Sequence, residues 1–168
     1  MKRTLLPSTA PMLREVAAPV INFSTDEIRM LVDDMFETMR EGGGVGLAAP
    51  QIGIALRIIV LEFAGGDDAP GELPVPPTAL INPIITREVG WGIGREGCFS
   101  VPGYIGMVGR YTEIDYVAQD IYGHKFSRTV MGLHARIIQH EIDHLNGILY
   151  TDLAVEVTPY ERNTNRTE

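Results

Sequence analysis

The clearest hydrophobic pattern lies between residues 25 and 41. Ile28, Leu31, Val32, Met35, Phe36 and Met39 recur at helical spacing and define one apolar face. Ser24 and Glu27 precede the run at capping-box spacing, and Phe23 is placed to staple onto Ile28. Gly42-Gly43-Gly44 ends the helix. The pattern then changes. Residues 57–63 are apolar and β-branched and predict a strand, and 79–88 predict another. Residues 64–77 between them, rich in Gly, Pro and acid, predict a surface loop. Residues 108–119 and 124–131 predict a hairpin around Asp120-Ile121-Tyr122-Gly123, and 132–146 predict a second helix. The first 22 residues carry Pro7, Pro11, Pro19 and Asn22 and predict an extended arm. Helix, strands, helix is the order of an α+β fold with mainly antiparallel sheet, not of alternating βαβ units.

Composition narrows this picture. With 168 residues, no repeat and no linker, the chain is expected to form a single domain over residues 1–168. A net charge of −8 leaves no excess of Lys and Arg for displacing counterions, which argues against bulk or sequence-specific nucleic-acid binding. Docking on a ribosome through a local patch stays open. No apolar run approaches the length of a membrane helix, and the first residues lack the pattern of a signal or import peptide. A cytoplasmic location is the expectation. The single cysteine, Cys98, excludes an intrachain disulfide, so the fold must stand on its core or on a metal.

The second helix carries His140-Glu141-Ile142-Asp143-His144, an H-E-x-x-H sequence. Residues four apart share a helix face, so both imidazoles can reach one cation, while Glu141 is offset enough to touch an activated water. At 100° per residue, Leu133, Ile137, His140, Glu141 and His144 gather within about 100° of arc. Ile138, Ile142 and Leu145 flank them, and Arg136, Gln139, Asp143 and Asn146 form a polar strip on the remaining side. The third histidine of some zinc proteases is absent, since Tyr150 stands there, and only Glu156, Glu161 and Glu168 follow as carboxylates. Cys98, in the turn-rich stretch Arg95-Glu96-Gly97-Cys98-Phe99-Ser100-Val101-Pro102-Gly103, is the remaining candidate ligand. One Cys and two His leave a tetrahedral ion one open position, the catalytic type. The glycines at 42–46 follow a helix and lack Gly-Lys-Ser/Thr, so a phosphate loop is not indicated.

Three segments together resemble the peptide deformylases. They are Gly44-Val45-Gly46-Leu47-Ala48-Ala49-Pro50-Gln51, Glu96-Gly97-Cys98-Phe99-Ser100, and Gln139-His140-Glu141-Ile142-Asp143-His144-Leu145-Asn146-Gly147, in the family's order and spacing. The resemblance covers about residues 5–152 and implies mainly antiparallel sheets around a central helix carrying the H-E-x-x-H. It implies removal of the formyl group from the N-formyl-methionyl peptide of a nascent chain. It implies Cys98, His140 and His144 as ligands of one divalent ion, typically Fe²⁺, with Ni²⁺, Co²⁺ or Zn²⁺ able to replace it. Glu141 would be general base and acid, and Gln51, the Phe99 N–H and Gly46 would stabilise the oxyanion. Gly44, Val45 and Gly97 would pair with the substrate main chain, and Glu96, Leu133 and Ile137 would line the methionine pocket. Two departures stand out. Phe99 occupies a position where leucine is commoner, and Ile105 stands where an arginine is usual; the second departure predicts an altered peptide preference or reduced efficiency.

Overall fold

A computed structural model describes residues 1–23, 26–65 and 71–160. Strand β2 (Ile58–Phe63) shows why its run is apolar throughout. Ile58 and Val60 face one core cluster, and Ile59, Leu61 and Phe63 face another. Helix α1 (Asp26–Glu41) covers the first face with Ile28, Leu31, Val32, Met35 and Met39. Helix α2 (Gly132–Leu145) covers the second with Ala135, Ile137, Ile138, Ile142 and Leu145. Phe23 packs on the cluster that holds Ile28; the expected capping box lies outside the described residues, because Ser24 does.

The five-stranded antiparallel sheet runs β1-β2-β3-β6-β7, with β1 at Gly46–Ala48, β3 at Val75–Val89, β6 at Glu113–Gln119 and β7 at Lys125–Met131. A three-stranded antiparallel sheet runs β4-β5-β8, formed by Gly92–Cys98, Val101–Arg110 and Glu156–Pro159. A short helix α3 (Tyr150–Leu153) joins α2 to β8. The antiparallel α+β expectation therefore holds, with corrections to the elements. The strand expected at 79–88 is longer at both ends. The strand expected at 108–119 is two: β5 ends at Arg110, the chain leaves the three-stranded sheet at Tyr111-Thr112, and β6 begins the next. The arm is largely extended, with one 3₁₀ turn at Pro11–Arg14.

The start of α2 has an unusual finish. Met131, at its N-cap position, makes no side-chain cap, and Gly132 adopts a left-handed φ of 61°. The free N–H of Leu133 instead donates to Glu72, 61 residues earlier, at 2.9 Å.

Candidate metal centre

His140 and His144 stand one turn apart on the buried face of α2, their rings edge to face at 5.0 Å. Cys98 reaches them from the end of β4, where a register shift between Glu96 and Cys98 breaks the ladder with β5. The Cys98 sulfur and one nitrogen of each imidazole lie within 4.8 Å of one another, and Sγ is 3.2 Å from His144 Nε2. A soft thiolate with two imidazoles is a donor set suited to Zn²⁺ or another first-row divalent ion. One further group argues for an occupant: Glu141 Oε2 is buried with no hydrogen-bond partner among the described residues. Burial pushes the Glu141 carboxyl up to about 7, aided by the nearby acids Glu96 and Asp143 and opposed by His140 and Arg110.

Gln51 closes another side. It sits in the 3₁₀ turn Ala49–Ile52 that follows β1. Its Oε1 accepts the Ala48 N–H at 2.9 Å, which turns its Nε2 toward Cys98 Sγ and Ser100 Oγ, both at 3.3 Å. Gly46 lies against Glu141: a methyl built on Gly46 would come within 2.9 Å of the Glu141 carboxyl carbon. Glycine is required there because the carboxylate fills the space a side chain would need.

Cys98, His140, His144, Glu141, Gln51 and Gly46 are thus brought together. Val45, on the approach to β1, is exposed, and so is Gly97 next to Cys98. Ile137 is buried in the cluster between α2 and the five-stranded sheet, with Leu133 packed on it. Glu96, expected to line the methionine pocket, is buried and carries several polar ties. Its Oε2 bonds His140 Nδ1 at 2.9 Å, and Arg110 grips both carboxylate oxygens at 2.9 and 3.0 Å. Arg136 adds a third contact at 2.9 Å. Burial opposes the charge on Glu96, but His140 and Arg110 outweigh it and hold the carboxyl at about 2. A carboxylate on the far nitrogen of a ligating histidine fixes its tautomer and ring orientation.

The residues missed by sequence reading lie in this same layer. Arg110 also pairs with Asp143, and Arg136 donates to the carbonyls of Val108 and Gly92 at 2.8 Å. Gln139 bonds the main chain of Tyr111 in both directions, at 3.0 and 2.8 Å. Arg136 and Asp143 of the polar strip therefore tie α2 to β4 and β5, and Gln139 ties it to the chain just beyond β5. Tyr150 stacks on His140 at 6.1 Å.

A helix presenting two imidazoles and a buried carboxylate to a thiolate, below two sheet edges, defines a metal-binding hydrolase site on an α+β scaffold. The chain belongs to the polypeptide deformylase family, whose model matches residues 2–159. It is 46% identical to peptide deformylase 2 of Ralstonia nicotianae over 155 residues, 89% of this chain and 85% of that protein. It is 45% identical to peptide deformylase 1 of Bordetella pertussis over 165 residues, 95% of this chain and 92% of that protein. A class I type b peptide deformylase from Acinetobacter baumannii, solved with Met-Ala-Ser bound, superposes with a TM-score of 0.87 at 32% identity. That superposition covers 91% of this chain and 98% of the Acinetobacter chain.

Proposed function

We propose that this chain, as a single catalytic domain over residues 1–168, removes the formyl group from the N-terminal formyl-methionine of nascent polypeptides and releases formate. The observation that carries this reading is the placement of the buried Glu141, whose Oε2 has no partner among the described residues, next to His140 of the Cys98–His140–His144 cluster, with the Gln51 amide facing the same sulfur. Fe²⁺ is the ion proposed on family grounds, with Ni²⁺, Co²⁺ and Zn²⁺ as replacements. Bound there, a divalent ion supplies Lewis acidity and makes hydroxide accessible near neutral pH.

The chain's own groups do the rest. Glu141, buried next to ligand His140, takes a proton from the attacking water and returns it to the leaving amine. Negative charge gathers on the formyl oxygen, where Gln51 Nε2 and the Phe99 N–H donate; one such donor is worth about 3 kcal/mol in a dry site. Gly46 leaves room for this oxygen and for Glu141. Among the described residues β1 and β4 each end their sheet, so each presents an unpaired edge. A peptide laid along Gly44, Val45 and Gly97 pairs through its main chain, which tolerates varied downstream residues. Leu133 and Ile137 offer aliphatic surface for the methionine side chain.

Ile105 lies across from Gly97: a methyl built on Gly97 would meet its Cγ2 at 3.8 Å. A downstream side chain meets an aliphatic group there instead of a guanidinium, and Ile105→Arg is expected to change the dependence of kcat/KM on peptide length. Action in the cytoplasm, at the ribosome, follows from the substrate; no helix among the described residues is long and apolar enough to cross a membrane.

The test is formate release from a formyl-Met tripeptide by protein loaded with Ni²⁺ or anaerobic Fe²⁺. Glu141→Ala is expected to abolish it, by more than about a hundredfold. Release from acetyl- but not formyl-peptides would replace the substrate, and no release from folded, loaded protein would overturn the reading. Chelation is expected to lower Tm, because an ion there ties α2 to the Cys98 turn.

A further inference from the structure

The proposed mechanism uses only the backbone N–H of Phe99; its ring has no part in it. That ring reaches from the Cys98 turn across to the end of α1. A methyl built on Gly42 would come within 2.9 Å of the ring's Cζ, and one on Gly44 within 2.5 Å of Cε2. Neither glycine needs its conformational freedom, because positive φ falls on Gly43 between them, at 63°. Positions 42 and 44 are therefore empty to make room for the ring. The segment is otherwise fixed: the N–H of Gly42 donates to Thr38 at 3.1 Å, and that of Gly44 to Met39 at 3.0 Å.

The contact joins two separate parts of the molecule. Gly44 leads directly into β1, the end strand of the five-stranded sheet, while Phe99 turns the chain between β4 and β5 of the other sheet. We infer that the Phe99 ring, seated on Gly42 and Gly44, is a clamp that sets the spacing between the β1 and β4 edges and so positions the peptide main chain. Phe99 thus has a positioning role through its side chain, distinct from its backbone N–H. The kinetic consequence rests on the deformylase reading; the mechanical one does not.

A four-protein cycle tests it: wild type, Gly42→Ala, Phe99→Leu and the double variant, each metal-loaded. At an unobstructed helix end, Gly→Ala is neutral or stabilising. Here Gly42→Ala alone is expected to lower Tm by roughly 3 °C and to lower kcat/KM roughly tenfold through KM more than kcat. In the Phe99→Leu background the same substitution is expected to leave Tm and KM where Phe99→Leu put them. Equal Tm losses in both backgrounds would overturn the clamp. Coupling in Tm without coupling in KM would reduce the ring to packing and overturn its positioning role. Failure of the wild type to release formate would sink the deformylase reading alone, with the Tm cycle still deciding the clamp.

Discussion

The two hairpins of this protein are built to different rules. In the β6–β7 hairpin seven consecutive residue pairs, from Glu113 with Met131 to Gln119 with Lys125, run without a register shift. Ile114, Tyr116 and Ala118 alternate inward, and Glu113, Asp115, Val117 and Gln119 face the other way. In the β4–β5 hairpin the register shifts beside Cys98, and glycine stands at 92, 94, 97, 103, 106 and 109. Several of these positions are crossed by other groups. A methyl on Gly94 would meet the Arg136 guanidinium carbon at 2.8 Å, and one on Gly106 would meet the Tyr150 ring at 2.7 Å. One hairpin stabilises the sheet with its own side chains. The other gives up side chains so that the groups arranging the metal centre can pass over its backbone.

The largest test of this contrast is Glu96→Ala. It strips Arg110, Arg136 and His140 of their shared carboxylate and leaves a buried guanidinium short of a partner, a loss expected to cost about 3–5 kcal/mol in urea unfolding. A cost below about 1 kcal/mol would show that the β4–β5 hairpin does not depend on the charges crossing it. Next is Gly106→Val, which drives two methyls and a Cβ into Tyr150 beneath His140. Overpacking there should cost about 1–3 kcal/mol, whereas Ser127→Val on the exposed face of β7 should stay within about 0.5 kcal/mol. Similar values at the two sites would erase the distinction.

The smallest effect is expected at the β6–β7 turn. Asp120 accepts from the N–H groups of Tyr122 and His124 at 2.8 and 2.9 Å and from the His124 ring at 3.0 Å. Desolvation opposes its charge, but those bonds hold its carboxyl below the usual range. A depressed folded-state pKa contributes stability above the unfolded value of about 3.9, lost as pH falls through the lower folded value. The gap in urea midpoint between wild type and Asp120→Ala should therefore be present near about pH 6 and close below about pH 4. A gap unchanged at low pH would mean that the turn holds by its backbone alone.

The same contrast explains what was legible in the sequence. Helices α1 and α2, strand β2 and the β6–β7 hairpin bury faces with a helical, continuous or alternating period, and each was readable from that period. Strands β1, β4 and β8 were not. β1 has only three residues, and β4 interleaves three glycines with exposed Ile93 and Arg95 and with the site residues Glu96 and Cys98. The ligands and Glu141 were legible because a helix spacing and a lone cysteine expose them. The layer of Glu96, Arg110, Arg136 and Asp143 was harder to see. A polar strip on a helix reads as a solvated face until the second sheet is known to lie across it. The signal was composition: Arg136 and Gln139 in that strip can bond main chain, and the 92–109 stretch is rich in glycine.

The Glu72 bond to the first turn of α2 has a consequence for the order of folding. An isolated segment from 132 to 145 has no neighbour in sequence to satisfy its leading N–H groups, and its first turn, with Leu133, should fray. That turn is finished only when a residue from the β2–β3 connection arrives, so helix completion must wait for a long-range closure. Hydrogen exchange should find Leu133 opening earlier than Ile138, with Glu72→Ala widening the difference.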